Sequence, residues 1–185
     1  MKRYTAKNYR RLGIRQSDSP KDPSVRRSYP PGIHGPKGQR RLTQYGLQLA
    51  EKQKAKVIYN ILEKQLRKYY QKAVRQKGDT GEILRQMLEL RLDNVVYRAG
   101  FAKSRPQARQ MINHNFLLVN GNKVNIPSYQ VKVKDEITVK EQKTKTKLFE
   151  EIKKNLEKHE APSWLGLDQK EIKAKILEKP KIEET

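Results

Sequence analysis

Residues 91–126 read RLDNVVYRAGFAKSRPQARQMINHNFLLVNGNKVNI, and the changing period of this stretch decides the fold. Leu92, Val95, Val96 and Ala99 share one face of a short helix, and Gly100 stops it. Ser104-Arg105-Pro106-Gln107 fits a capping box, with a hydroxyl at the cap, a Gln amide three residues on and a proline where the missing N–H costs nothing. The helix it opens turns Ala108, Met111 and Ile112 inward. Arg105 and Arg109, four apart, share another face with Gln110 nearby. After His114 the pattern becomes alternating. Phe116–Val119 reads as a strand, Asn120-Gly121 as a tight hairpin turn, and Val124–Ile126 as the returning strand.

Toward the C-terminus, Tyr129–Val133 and Ile137–Val139 alternate as half-buried strands, so two short helices and a small sheet form one unit over 90–142. Residues 146–159 regain helical spacing through Leu148, Ile152 and Leu156. Trp164 reads as a packing anchor, and Asp168–Lys179 reads as helical through Ile172 and Ile176. Toward the N-terminus, Tyr45–Lys77 is helical through Ile58, Leu62, Leu66, Tyr69 and Ala73, as one helix or two with a bend. Most of its interleaved bases read as a solvated face. Gly78 is a stop, and Thr80 offers a cap for a helix through Glu89. Residues 1–42 hold eight Pro and Gly breakers between Pro20 and Gly38 and read as an arm or ordered loop.

Lys and Arg number 42 against 20 Asp and Glu, a net charge of +22. The net is +10 over residues 1–41, +11 over 42–143 and +1 over 144–185, so a polyanion lies against the first three-quarters of the chain. Nucleic acid is the favoured partner. No apolar run approaches the ~18 residues of a membrane span, and the basic N-terminus lacks the apolar core of a signal peptide. The chain has no Cys, and its three His are far apart and in no ligand spacing, so neither a thiol nor a metal centre is expected. No nucleotide or nucleophile motif appears, which leaves an enzyme almost no visible tools. The arm carries Tyr4, Tyr9, Leu12, Ile14, Tyr29 and Ile33, residues that suit anchors, and an arm ordered by RNA fits them better than a disordered tail.

Several further stretches join the first one: Pro31-Gly32-Ile33-His34-Gly35, Tyr45-Gly46-Leu47-Gln48 with Glu51-Lys52-Gln53-Lys54, Gly78-Asp79-Thr80-Gly81-Glu82, Val124–Val131 and Pro162-Ser163-Trp164-Leu165. In this order, over residues 1 to 166, the sequence resembles the bacterial type of the S-four family of small-subunit ribosomal proteins. The resemblance implies an α+β fold: a mainly helical domain with an extended basic N-terminal arm and an inserted helix–helix–small-sheet RNA-binding module of the alpha-L type. The expected division is an arm over 1–42, a helical domain over 43–89 completed by 143–185, and the module over 90–142. The C-terminal segment is expected to pack back on the helical domain. Many relatives carry a Cys cluster near the start; Arg10–Arg15 has none, so zinc is not expected. Relatives usually end with a further strand and an amphipathic helix, where this chain reads Ile182–Thr185.

The resemblance further implies a structural, non-enzymatic role with no cofactor, metal or small-molecule substrate. The partners implied are 16S rRNA at a multi-helix junction of the 5′ domain, mRNA where it enters the subunit, and ribosomal proteins S three and S five. The location implied is the cytoplasm, in the ribosome, with an organellar ribosome also open. The expected RNA contacts are Arg3, Arg10, Arg11, Lys54, Arg91, Arg98, Ser104, Arg105, Gln107, Arg109, Gln110, His114, Lys123, Tyr129 and Lys132. His114 equally suits a helix-end cap. Lys37, Arg40 and Arg41 are the candidates for the mRNA side.

Overall fold

The computed structural model describes residues 4–15, 22–38, 41–144, 146–156, 159–169 and 171–180. The chain forms two compact units, residues 1–68 and 69–185.

In the first unit, the expected arm contains two helices. Helix α1 (Ala6–Leu12) opens on a capping box, in which the Thr5 N–H donates to Asn8 Oδ1 at 3.0 Å, and ends at Gly13 with φ +66°. Helix α2 (Pro23–Arg26) is capped by Asp22, whose Oδ1 accepts from the Ser24 N–H at 2.7 Å. Tyr4 Oη donates to the Ile61 carbonyl at 2.7 Å, so this anchor seats on the chain's own backbone. The reading of residues 1–42 as an extended arm is corrected in that respect: local caps supply helix where breakers dominate the composition.

The long helical pattern resolves as two helices, α3 (Gln44–Ile58) and α4 (Glu63–Val74). They are separated where Asn60 takes a positive φ of 51°. Thr43 caps α3 through the Gly46 N–H at 3.2 Å. Helix α5 (Thr80–Glu89) is capped by Asp79, one residue before the expected Thr80, with Oδ2 accepting from the Glu82 N–H at 2.8 Å.

The second unit is built on α6 (Leu92–Arg98) and α7 (Arg105–Asn113), followed by β1 (Leu117–Val119) and β2 (Asn122–Lys123). Asn120 and Gly121 join the strands with φ values of 51° and 75°, the two positive dihedrals that a type I′ hairpin needs. Strand β3 (Glu136–Val139), helix α8 (Lys147–Leu156), β4 (Leu165–Asp168) and β5 (Lys173–Ile176) complete it. The sheet is antiparallel throughout, in the order β2-β1-β3-β5-β4. One core joins Leu92, Val95 and Val96 of α6 to Met111 and Ile112 of α7, Ile137 of the sheet and Ile152 and Leu156 of α8. Trp164 lies in it as an anchor.

Four sequence expectations are corrected here. Residues 168–179 are not helical: β4 and β5 form a hairpin in which Ile172, Ala174 and Ile176 are buried. Apolar residues at 172 and 176 satisfy a period of two as well as one of 3.6, and the vacant edge of β3 selects the strand, pairing Ile137 with Ala174. The C-terminal segment therefore completes the module's sheet and core rather than the helical domain over 43–89. Tyr129–Val133 is no sheet strand either. Its backbone is engaged by residues 90–93, with the Leu92 N–H on the Tyr129 carbonyl at 2.9 Å and the Val131 N–H on the Leu90 carbonyl at 2.9 Å. The returning hairpin strand is Asn122–Lys123 rather than 124–126.

Gly100 ends α6 at φ +78°, and a Cβ built there would lie 2.6 Å from the His159 ring. Gly100→Ala combines a left-handed backbone with this clash, and an expected loss of about 2–4 kcal/mol follows from the two costs together. Urea unfolding of the two proteins measures it.

Candidate nucleic-acid interface

The module's arginines divide into those that hold it together and those that reach its surface. Asp93 stands in the first turn of α6, where the helix dipole favours a carboxylate. Arg91, just before the helix, clasps it with both prongs, Nε to Oδ1 at 3.0 Å and Nη2 to Oδ2 at 2.8 Å. Arg109 of α7 donates Nε to the same Oδ2 at 2.5 Å. The remaining Arg91 fork, Nη1, donates to Tyr69 Oη at 2.7 Å. Exposure is 2% at Arg91, 1% at Asp93 and 7% at Arg109. Burial alone would lower the Arg91 pKa, but the hydrogen bond to Asp93 and the Asp93 charge, with Tyr69 adding to them, outweigh it and hold the guanidinium above its ordinary value.

A second carboxylate organises the other two arginines. Glu89, at the end of α5, is fully buried. Its Oε2 accepts from Asn94 Nδ2 at 2.6 Å, and it receives Arg98 through Nε at 3.2 Å and Nη2 at 3.1 Å. Because its Nδ2 also donates to the Glu89 carbonyl at 3.0 Å, Asn94 has a fixed orientation and offers Oδ1 to Arg105 Nε at 2.8 Å. The Arg105 guanidinium lies over the Tyr97 ring, 4.5 Å from its centre. The cluster thus sets four guanidinium groups against two carboxylates. Arg98, on Glu89, and Arg105, on Asn94, are partly exposed, while Arg91, Arg109 and both carboxylates are buried.

The expected contacts distribute accordingly. Arg91 and Arg109 are turned inward: their donors meet Asp93, and they offer almost no surface. Arg98 and Arg105 stay at the margin. Gln110 and His114 are exposed on and just after α7, and Lys123 and Lys132 are exposed in the same unit. Ser104 accepts the Gln107 N–H at 3.4 Å as the α7 cap, and Gln107 Oε1 accepts the Lys103 N–H at 2.9 Å, so both serve the helix start. Tyr129 is half-buried against the core.

In the first unit, Arg10 closes the loop after α1 by donating Nε to the Arg27 carbonyl at 3.1 Å and Nη2 to the Tyr29 carbonyl at 2.9 Å. Lys54 pairs with Glu51 at 2.7 Å, and Arg11, Lys37 and Arg41 are exposed. Arg3 and Arg40 lie outside the described residues. Sequence reasoning missed Glu89, Asn94, Tyr97 and Tyr69. The run Asp93-Asn94 opening an apolar helix between two arginines is the signal that could have found part of the network.

A model of the ribosomal protein S4/S9 N-terminal domain matches residues 1–89, and a model of the S4 domain matches residues 90–137. The small ribosomal subunit protein uS4 of Heliobacterium modesticaldum is 50% identical over 159 residues, 86% of this chain and 76% of that protein. The uS4 protein of Roseiflexus castenholzii is 45% identical over 178 residues, 95% of this chain and 86% of its own length. That of Aquifex aeolicus is 48% identical over 176 residues, covering 92% and 83%.

Removing Asp93 leaves two buried cations without their shared carboxylate. Asp93→Ala is expected to lower stability by about 3–5 kcal/mol, whereas Tyr69→Phe removes one partner of Arg91 and costs about 1–2 kcal/mol. Chemical denaturation of both variants measures the ratio.

Proposed function

The chain belongs to the uS4 family of small ribosomal subunit proteins, and from that premise we propose that it is a structural 16S rRNA-binding protein that seats early at a multi-helix junction of the 5′ domain and nucleates assembly of the small subunit. It works by shape and phosphate recognition, not by catalysis. The observation that carries this reading is the placement of the module's arginines: Asp93 holds Arg91 and Arg109 in the core, Glu89 holds Arg98 at the margin, and Asn94 and Tyr97 fix Arg105 at the surface. Fixed cations at a surface lose little freedom on meeting phosphate, which favours a defined RNA shape over polyanions in general.

The proposed RNA face of the module combines Arg98, Arg105, Gln110, His114, Lys123 and Lys132, with Arg91, Arg109, Ser104 and Gln107 holding the two helices in register and Tyr129 backing them. Arg10, Arg11 and Lys54 belong to the proposed RNA contacts of the first unit, together with Arg3. Lys37, Arg40 and Arg41 are proposed to face mRNA where it enters the subunit, beside ribosomal proteins S three and S five. A cytoplasmic ribosome is the proposed location.

A salt titration of affinity for the 5′ domain of 16S rRNA, against a length-matched unrelated RNA, tests the reading. The cognate fragment is expected to win by orders of magnitude and to stay ahead at high salt. Equal binding that fades together as counterions compete would reduce the protein to a generic polyanion binder. Within the module, Arg105→Ala is expected to weaken cognate binding by roughly 1–3 kcal/mol without unfolding the chain. Arg109→Ala acts first on stability. Circular dichroism alongside filter binding separates the two effects.

A further inference from the structure

Asn120 is the only one of the nine asparagines in the sequence that precedes a glycine. The pair forms the tip of the β1–β2 hairpin, and both residues are exposed. An asparagine amide can be attacked by the backbone nitrogen of the following residue, and a side chain on that residue obstructs the approach. Gly121 has none, and beyond its own chain neighbours no atom lies within 4 Å of a Cβ built there. Sequence and exposure together make the Asn120 amide a substrate for this chemistry.

The fold holds the same amide by both of its polar atoms. Asn120 Oδ1 accepts from the Glu136 N–H at 2.8 Å, and Nδ2 donates to Asp135 Oδ1 at 2.8 Å. The backbone adds a third bond, from the Asn120 N–H to the Glu136 carbonyl at 2.8 Å. The β1–β3 ladder ends at the pair of Val119 with Ile137, and Asn120 prolongs it by one step. Its side-chain oxygen takes the strand N–H at the point where the backbone turns away. Asp135 is itself fixed, since its Oδ2 accepts from the Lys132 N–H at 2.8 Å. An amide suits the position because it supplies an acceptor for Glu136 and a donor for Asp135 together; an ionised carboxylate has no donor.

We propose that Asn120 is a deamidation site restrained by the Asp135–Glu136 clasp, and that its conversion to an acid unfastens the hairpin from the start of β3. The Gly121 nitrogen gives its proton to a base of the solvent and bonds to Asn120 Cγ. The Cγ–Nδ2 bond breaks, and the amide nitrogen takes up a proton and leaves as ammonia. Water then opens the cyclic imide at either carbonyl, giving aspartate or isoaspartate at position 120. Nothing is oxidised or reduced. Ring closure must bring Cγ onto the Gly121 nitrogen, so both hydrogen bonds of the amide have to open first. Once the acid has formed, two carboxylates face each other where a donor met an acceptor, and the pair repels. The assignment stands on the chain alone and does not depend on its RNA partner.

The test incubates the full chain in mildly alkaline buffer, native and unfolded in urea. Tandem mass spectrometry of the tryptic peptide from Gln110 to Lys123 locates the acid, and an isoaspartyl methyltransferase labels the iso form. Position 120 is expected to convert in both states, with the native chain at least about tenfold slower. Asp135→Ala should speed the native conversion by about threefold to tenfold, the effect of one lost hydrogen bond on the share of open side chains. Asn120→Asp imitates the product and should lower the urea midpoint. Adding Asp135→Asn to it exchanges donor and acceptor: the new amide can donate to position 120 and still accept from the Lys132 N–H. The midpoint should then return most of the way to the parent's, a rescue that a merely structural loss at the turn would not show. Circular dichroism checks that each variant folds, and the exchange keeps the proposal refutable if Asp135→Ala does not. A native chain that converts as fast as the unfolded one would overturn the assignment, as would an Asp135→Ala chain no faster than the parent. An Asn120→Asp chain as stable as the parent, or one that the exchange fails to rescue, would do the same.

Discussion

The second unit turns on one carboxylate. Asp93 holds both Arg91 and Arg109, the latter 16 residues away, and through Arg91 it reaches Tyr69. These bonds join the start of α6 to α7 and to the C-terminal half of α4. The backbone of the same segment is fastened as well: the Asp93 N–H donates to the Pro127 carbonyl at 3.1 Å and the Leu92 N–H to that of Tyr129. A buried ion pair adds little net stability, because desolvating both partners offsets most of their attraction. What it adds here is register. With two arginines on one carboxylate in a closed core, a misplaced helix would bury a bare charge.

The same network sets how positive charge is distributed. Arginines that would repel one another are brought together around Glu89 and Asp93, and the two left with part of their surface in solvent are those whose planes are already held. Arg105 is fixed on one edge by Asn94 and on one face by Tyr97. A guanidinium held this way is suited to flat, directional contacts with phosphate or a base edge, which a freely rotating lysine would meet only as a point charge. On α4 the arrangement is reversed: unpaired lysines and arginines stand in a row over a buried apolar face. The chain therefore presents cations in two physical forms, some held by neighbouring side chains and some exposed in a row.

Much of this was legible in the sequence because it is local. Ser104 before Pro106, Asn120-Gly121, and the spacing of Leu92, Val95, Val96 and Ala99 each specify a backbone conformation through neighbours a few residues away, and the elements they mark are present. The Gln107 half of the expected capping box, however, goes to the Lys103 N–H instead of closing on Ser104. The misreadings share a cause. Ile172 and Ile176 are compatible with helix and strand alike, and only the open edge of β3 distinguishes them. Tyr129–Val133 has the alternation of a strand, but its hydrogen-bonding groups are taken by residues 90–93 before any sheet can use them. In the N-terminal segment, composition argued for an arm, while the caps at Thr5 and Asp22 supplied short helices.

By itself the sequence determined the two helices of the module, its hairpin turn, the excess of positive charge and the family to which the chain belongs, since these rest on short-range patterns and on order along the chain. Tertiary structure alone decided which arginines face inward and which outward. Arg91, Arg98, Arg105 and Arg109 are equivalent as letters; what separates them is the position of two carboxylates and an amide up to 16 residues away, and a buried charge must go where its counter-charge is.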